Sequence, residues 1–207
     1  MNRIVYLIRH SKVLKPNNEL NSESLQLQNE KCILSVEGEN LARSKLVNDE
    51  LKDLDLIVSS NYVRAMSTAK YLTVNNDLDI KVLSNFGERK FGVNNWDELP
   101  KDFGLKQWND ENYKLVNGES RKEVSDRCYL QLMDILSQEY NRIAVVFHAM
   151  ALLYLLRKWC NIVLKDNNML EINFKDKKML ISKIDFCQIF KLEFDMNNQL
   201  IDINVVN

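Results

Sequence analysis

Arg3-Ile4-Val5-Tyr6-Leu7-Ile8-Arg9-His10 constrains this chain more than any other stretch, because five apolar residues in a row end abruptly in an arginine and a histidine. With β-branched and aromatic members, the run reads as a strand buried on both faces, inside a sheet with layers packed on either side. In open α/β sheets the ligand sits at the carboxyl edge of the strands. A guanidinium and an imidazole emerging there point to an anion site with a nucleophile beside it.

The rest of the chain supplies neighbours for such a strand. Leu54 to Val58 and Ile80 to Leu83 are short apolar runs, and Arg142 to Phe147 is a strong one that also stops in a histidine, His148. Helical spacing follows in Asn40 to Leu51, where Ser35 is the expected N-cap, in Tyr62 to Leu72, in Glu119 to Tyr140 and in Ala149 to Trp159. Ile184 to Phe194 and Gln199 to Val206 flank Met196-Asn197-Asn198 as a hairpin. Strands alternating with helices predict an α/β three-layer sandwich. Its central sheet is mostly parallel, with helices on both faces and an antiparallel edge hairpin near the C-terminus.

Two segments break the pattern. Ser11 to Lys31 is polar and carries the turn signal Pro16-Asn17-Asn18, a length that favours a functional loop over filler. Asn85 to Gly118 holds Gly87, Gly92, Gly104 and Gly118 with Trp96 and Trp108, and reads as an excursion on the substrate side. Both fit within one domain spanning 1–207. Lys12, Lys15, Lys90 and Trp96 are candidate contacts from these segments.

Charge and composition narrow the partners. A formal net charge of -1 gives no general attraction to nucleic acid or an anionic membrane, so any anion must be recognised locally. The longest apolar stretch, Ile143 to Leu156, is too short for a membrane span and is interrupted by His148. Cys32, Cys128, Cys160 and Cys187 are widely spaced, without metal-ligand or CxxC spacing, which fits reduced thiols in the cytoplasm.

The chain contains only two histidines, and both stand directly after a buried strand. Parallel neighbours would bring His10 and His148 to one edge. Arg9 and Arg64 map to the same edge, and two guanidinium groups with two imidazoles suit the oxygens of a phosphoryl group.

These residues carry a resemblance to the histidine phosphatase superfamily, the phosphoglycerate mutase-like proteins. Leu7-Ile8-Arg9-His10 resembles its opening motif, and Ser59-Ser60-Asn61-Tyr62-Val63-Arg64-Ala65 with Thr68-Ala69 its second block. Glu88, Phe91-Gly92 and Trp96 resemble the third, Gly118-Glu119-Ser120 with Val124 and Arg127 the fourth, and Val145-Val146-Phe147-His148 the last. The resemblance implies a phosphatase that needs no cofactor and no metal, acting on a small phosphorylated metabolite. By it, His10 is the nucleophile, Arg9, Arg64 and His148 hold the phosphoryl oxygens, and Glu88 is the proton donor and then the base.

The loop after His10 departs from the family. Ser11, Lys12, Val13 and Pro16 stand where glycine, an acidic residue, Ser or Thr, and asparagine are usual, and Asn17 comes one residue late. Ser11, Lys12 or Asn17 is the expected replacement for the contacts of that loop, with Ser11 and Asn17 taken as substrate contacts, and Ala149 takes the place of the glycine that follows the second histidine. Two other readings stay open on sequence: a phosphoglycerate-type mutase, and a phosphate-binding regulatory domain without turnover. The oligomeric state is open as well.

Overall fold

The computed structural model describes residues 2–15, 23–165, 169–181 and 183–206. The expected turn at Pro16-Asn17-Asn18, and with it Asn17, lies outside the described residues. Six strands form the main sheet: β1 (Arg3–Arg9), β2 (Leu56–Ser59), β3 (Ile80–Val82), β4 (Arg142–Phe147), β8 (Ile189–Phe194) and β9 (Leu200–Val206). Their order is β3-β2-β4-β1-β8-β9. The first four run parallel, and β8 and β9 add an antiparallel edge. That is the predicted α/β architecture, with the hairpin in its predicted place.

Alternation along the strands explains the two covered faces. Val5 and Leu7 of β1 join Ile143, Val145 and Phe147 of β4 on one face. Tyr6 and Ile8 join Ala144 and Val146 on the other. On the first face lie α5 (Arg121–Leu136) and α6 (Ala149–Leu156). The second receives α2 (Val36–Leu46) and α3 (Val63–Ala69). Val5 to Ile8 are completely buried, as a strand covered on both sides requires.

Helix boundaries differ from expectation where capping decides them. Ser35 does cap α2, accepting from the N–H of Gly38 at 3.0 Å, so the helix starts at Val36 rather than Asn40 and ends at Leu46. Ser120 and Glu123 make a reciprocal capping box that starts α5 at Arg121. Two short helices, α1 (Leu25–Lys31) and α4 (Phe103–Asn109), lie in the segments read as irregular.

A second sheet was not foreseen. β5 (Asn161–Leu164), β6 (Leu170–Phe174) and β7 (Lys177–Ile181) form an antiparallel meander. It packs Ile162, Leu170, Ile172 and Phe174 onto the face that carries α5 and α6.

Candidate active site

The pairing register places the two histidines. Arg9 of β1 is opposite Phe147 of β4, so His10 and His148 leave the sheet side by side. The N–H of His10 still donates to the Phe147 carbonyl at 2.8 Å, and that of Ser60, after β2, to the Val146 carbonyl at 3.1 Å. The imidazole centroids are 5.2 Å apart. Both rings are buried, His10 with 6% exposure and His148 with none.

Arg64, in the first turn of α3, reaches both rings at once. Its Nε donates to Nε2 of His10 at 3.0 Å, and its Nη2 lies 3.1 Å from Nδ1 of His148. A guanidinium has donors only, so the two ring nitrogens facing it are the unprotonated ones. The remaining nitrogens then carry the hydrogens. Nδ1 of His10 donates to the Ser11 carbonyl at 2.7 Å, and Nε2 of His148 to the Ser60 hydroxyl at 2.8 Å. Burial first, and the Arg64 charge second, hold both imidazoles well below the ordinary histidine range. In the free protein the pair is neutral, and Nε2 of His10 carries a lone pair.

Arg9 stands beside this cluster on the Phe186 side. Its guanidinium lies 4.0 Å over the Phe186 ring and donates to the Ile184 carbonyl, while its buried Nε meets no acceptor among the described residues. Burial lowers its proton affinity, and the Glu88 carboxylate works in the other direction. Glu88 acts on Arg64 in the same way, which puts the carboxylate within electrostatic reach of both guanidinium groups.

Glu88 is held at the start of α6, the helix that begins directly after His148. Its Oε1 accepts from the N–H groups of Arg89 at 2.9 Å and Ala151 at 3.1 Å, and its Oε2 from that of Met150 at 3.3 Å. Two residues upstream, Phe86 packs edge-on against Phe147 with centroids 5.6 Å apart, which anchors this loop to the end of β4. The glycines of the excursion have a local reason. Gly92 has φ +81°, and a Cβ on it would lie 2.3 Å from the Gly118 nitrogen, so the Glu88 loop and the Gly118 turn cross backbone to backbone. That crossing lets Glu119 donate its N–H to the Lys90 carbonyl at 2.9 Å while its carboxylate accepts from the Lys90 N–H at 3.0 Å.

The structure thus gathers His10, His148, Arg64, Arg9 and Glu88. Ser11 is employed elsewhere: its hydroxyl donates to the Gly38 carbonyl at 2.7 Å and its N–H to Thr68 Oγ1 at 3.0 Å. Through these bonds it fastens the loop after β1 to helices α2 and α3. Ala149 is the first residue of α6. Lys12 is ion-paired with Glu37 on the surface. Lys90 borders a cavity of about 170 Å³ beside Glu88, whereas Lys15 and half-exposed Trp96 border another of about 310 Å³. Sequence reasoning assigned no role to Ser60, Tyr62 or Arg127. Ser60 orients His148, and Tyr62 packs on that ring at 4.6 Å. The signal was their presence in the motif blocks. Among the described residues no group of three His, Cys, Asp or Glu is arranged to hold a metal ion, and no helix is long and apolar enough to cross a membrane.

Two imidazoles, two guanidinium groups and a carboxylate at the carboxyl edge of a doubly covered sheet define a phosphatase-like hydrolase. The model of the histidine phosphatase superfamily (branch 1) matches residues 5–187, and the chain belongs to that family. No curated protein sequence matches it. Among solved structures it is similar to the native mycobacterial glucosyl-3-phosphoglycerate phosphatase, with 18% identity, a TM-score of 0.69, and coverage of 99% of this chain and 97% of that one. The same mycobacterial enzyme in complex with inorganic phosphate gives 17% identity, a TM-score of 0.67 and coverage of 99% and 96%. A putative alpha-ribazole-5'-P phosphatase from Escherichia coli K-12 gives 20% identity, a TM-score of 0.68 and coverage of 99% and 96%.

Proposed function

We propose that this protein is a metal-independent phosphatase that hydrolyses a small phosphate monoester through a phosphohistidine on His10. The observation that carries the reading is the Arg64 guanidinium donating to the unprotonated nitrogens of both His10 and His148. It gathers a cation and two neutral imidazoles at one point, where a phosphoryl group needs a nucleophile in line and donors around its oxygens.

In this reading a phosphate dianion takes the place of the two rings as the acceptor for Arg64, and the orphaned Nε of Arg9 gains an acceptor. Nε2 of His10 attacks phosphorus while the bond to the leaving oxygen breaks, and Glu88, entering this step as the carboxylic acid, gives that oxygen its proton. The Ser11 carbonyl holds the Nδ1 hydrogen, so the imidazole presents one nucleophilic nitrogen and stabilises the positive charge it acquires. His148 takes up a proton as the dianion binds and donates it in a hydrogen bond to a phosphoryl oxygen. In the second half Glu88 removes a proton from water, which attacks phosphorus. The N–P bond breaks, and orthophosphate leaves with His10 neutral again.

The rest of the substrate fits the cavity of about 310 Å³ formed by Val13, Lys15, Leu25, Gln28, Cys32 and Trp96. That cavity adjoins the phosphate position through Asn29, whose carbonyl accepts from Arg64. Four free thiols among the described residues fit a reducing compartment such as the cytoplasm.

The test is phosphate release from a chromogenic aryl phosphate in the presence of a chelator. Turnover that His10→Ala abolishes is expected. Interconversion of phosphoglycerates with little hydrolysis would make the protein a mutase. Phosphate binding without either reaction would make it a regulatory domain.

A further inference from the structure

A second cluster of cations lies away from the His10 centre, where the start of α5 meets the end of α6. Arg121 is the first residue of α5, and Arg157 directly follows α6. With Tyr154, Ser125 and Glu111 they border a cavity of about 310 Å³. His148, just before α6, and Arg157, just after it, are nine residues apart, a backbone span of about 13.5 Å at a rise of 1.5 Å per residue.

Neither guanidinium has a conventional partner. Among the described residues, Arg121 and Arg157 make no side-chain hydrogen bond and no ion pair, and the Nε of each is buried without an acceptor. Other arginines with a buried, unmet Nε place a second nitrogen on an acceptor. Arg89 holds Gln107 and the Tyr154 hydroxyl, and Arg142 holds Tyr6 and the Glu50 carbonyl. Arg157 has only the face of Trp108, 4.3 Å from its carbon centre. Burial, and then the charge of Arg121, lower the Arg157 guanidinium to about 10. Two like charges therefore border one recess, each with its Nε buried.

Two carboxylates, Glu111 and Asp126, border the recess as well, and among the described residues neither forms an ion pair with Arg121 or Arg157. Asp126 is taken by Lys122 and Lys158, both at 2.5 Å. A cation in the first turn of α5 also opposes the helix dipole, so Arg121 is unfavourable where it stands unless an anion joins it. Arg157, at the end of α6, suits its own helix, but not its neighbour.

We propose that the recess between Arg121 and Arg157 is a second anion site, built for a phosphate-type dianion and separate from the His10 centre. Forked donation from two guanidinium groups would satisfy both orphaned nitrogens and remove the repulsion. Tyr154 borders the recess and receives a hydrogen bond from Arg89 at 2.8 Å, the residue whose N–H meets Glu88. The site is thus one side chain removed from the loop that carries Glu88.

The experiment is a calorimetric titration with inorganic phosphate into the millimolar range. Wild-type protein should take up two equivalents, Arg64→Ala one, and Arg64→Ala with Arg121→Gln and Arg157→Gln none. Arg157→Gln alone should keep its melting temperature in phosphate-free buffer, which separates loss of the ligand from loss of the fold. A single equivalent in wild-type protein that disappears in Arg64→Ala would overturn the proposal. So would a remaining equivalent that survives removal of both Arg121 and Arg157. Neither outcome depends on turnover, so failure of the phosphatase reading leaves this test intact.

Discussion

Arg127 grips Glu119 with two parallel hydrogen bonds, Nε to Oε1 at 2.8 Å and Nη2 to Oε2 at 3.0 Å. The same guanidinium donates to the carbonyls of Asn85 at 2.7 Å, Gly87 at 3.0 Å and Glu88 at 3.3 Å. Burial works against its charge, but the hydrogen bond to Glu119, with the nearby Cys128 and the Glu119 and Glu88 carboxylates, more than offsets this and holds Arg127 above the ordinary arginine range. Arg127 therefore acts as a positioning residue for the Glu88 loop. Arg127→Ala should lower kcat about 10- to 100-fold with little change in KM, since a carboxylate displaced by an ångström loses much of its effect. Arg127→Lys should not restore it, because an ammonium cannot fork across Glu119 and three carbonyls. Steady-state kinetics of the two variants check this.

Glu88 should matter in proportion to how poorly the alcohol leaves. Replacing it by glutamine removes the proton donor and keeps the shape. Glu88→Gln should cost about 10²- to 10⁴-fold in kcat with an alkyl phosphate. With a nitrophenyl ester, whose leaving group needs no proton, the first step should be nearly spared. Comparing burst phases for the two esters measures this, and an equal loss with both would remove Glu88 from the acid role.

Acid should destabilise the free protein through its two histidines. Unfolded, each takes up a proton near 6.5, whereas folded, burial and Arg64 hold both well below that value. Between the two values the unfolded chain binds more protons, so stability is full above about 6.5 and is lost as the pH falls below it. Each histidine contributes a slope of up to about 1.4 kcal/mol per pH unit in that window. Denaturation midpoints from pH 7 to pH 5 should flatten in His148→Asn. An unchanged slope would mean that the folded protein already carries the proton.

The fastener after β1 should show in stability rather than in turnover. Ser11→Ala removes the hydrogen bond to Gly38 and should cost about 1 kcal/mol, with kcat within a factor of about three of wild type. In Gly38→Ala the new Cβ would stand 1.9 Å from the Lys12 carbonyl oxygen, a backbone collision that should cost about 2–3 kcal/mol. Chemical denaturation with parallel assays separates the two effects. A large kcat loss in Ser11→Ala would return that hydroxyl to the substrate site.

The legible parts of this protein are those where one stretch of chain carries the whole signal. β1 and β4 are continuous apolar runs that each end in a histidine, so their burial and shared edge could be inferred before any contact was known. The meander β5 to β7 escaped notice because Leu170–Phe174 and Lys177–Ile181 mix charges with apolar residues. Their pairing with one another, and the burial of Leu170, Ile172 and Phe174 in the core, make them strands. The bonds of Ser11 could not be read from sequence, because its partners, Gly38 and Thr68, are contributed by distant helices. The Arg121–Arg157 pair was equally hidden, since 36 residues separate two arginines that each look like ordinary surface positions.

The central claim is that Nε2 of His10 forms a bond to phosphorus. Rapid quenching of the enzyme with an aryl phosphate labelled in its phosphoryl group should trap up to one label per chain. The label should be stable to base, lost in acid and mapped to His10, and it should be absent from His10→Ala. Turnover with no trapped label under conditions that slow the second step, or a label on another side chain, would contradict the account.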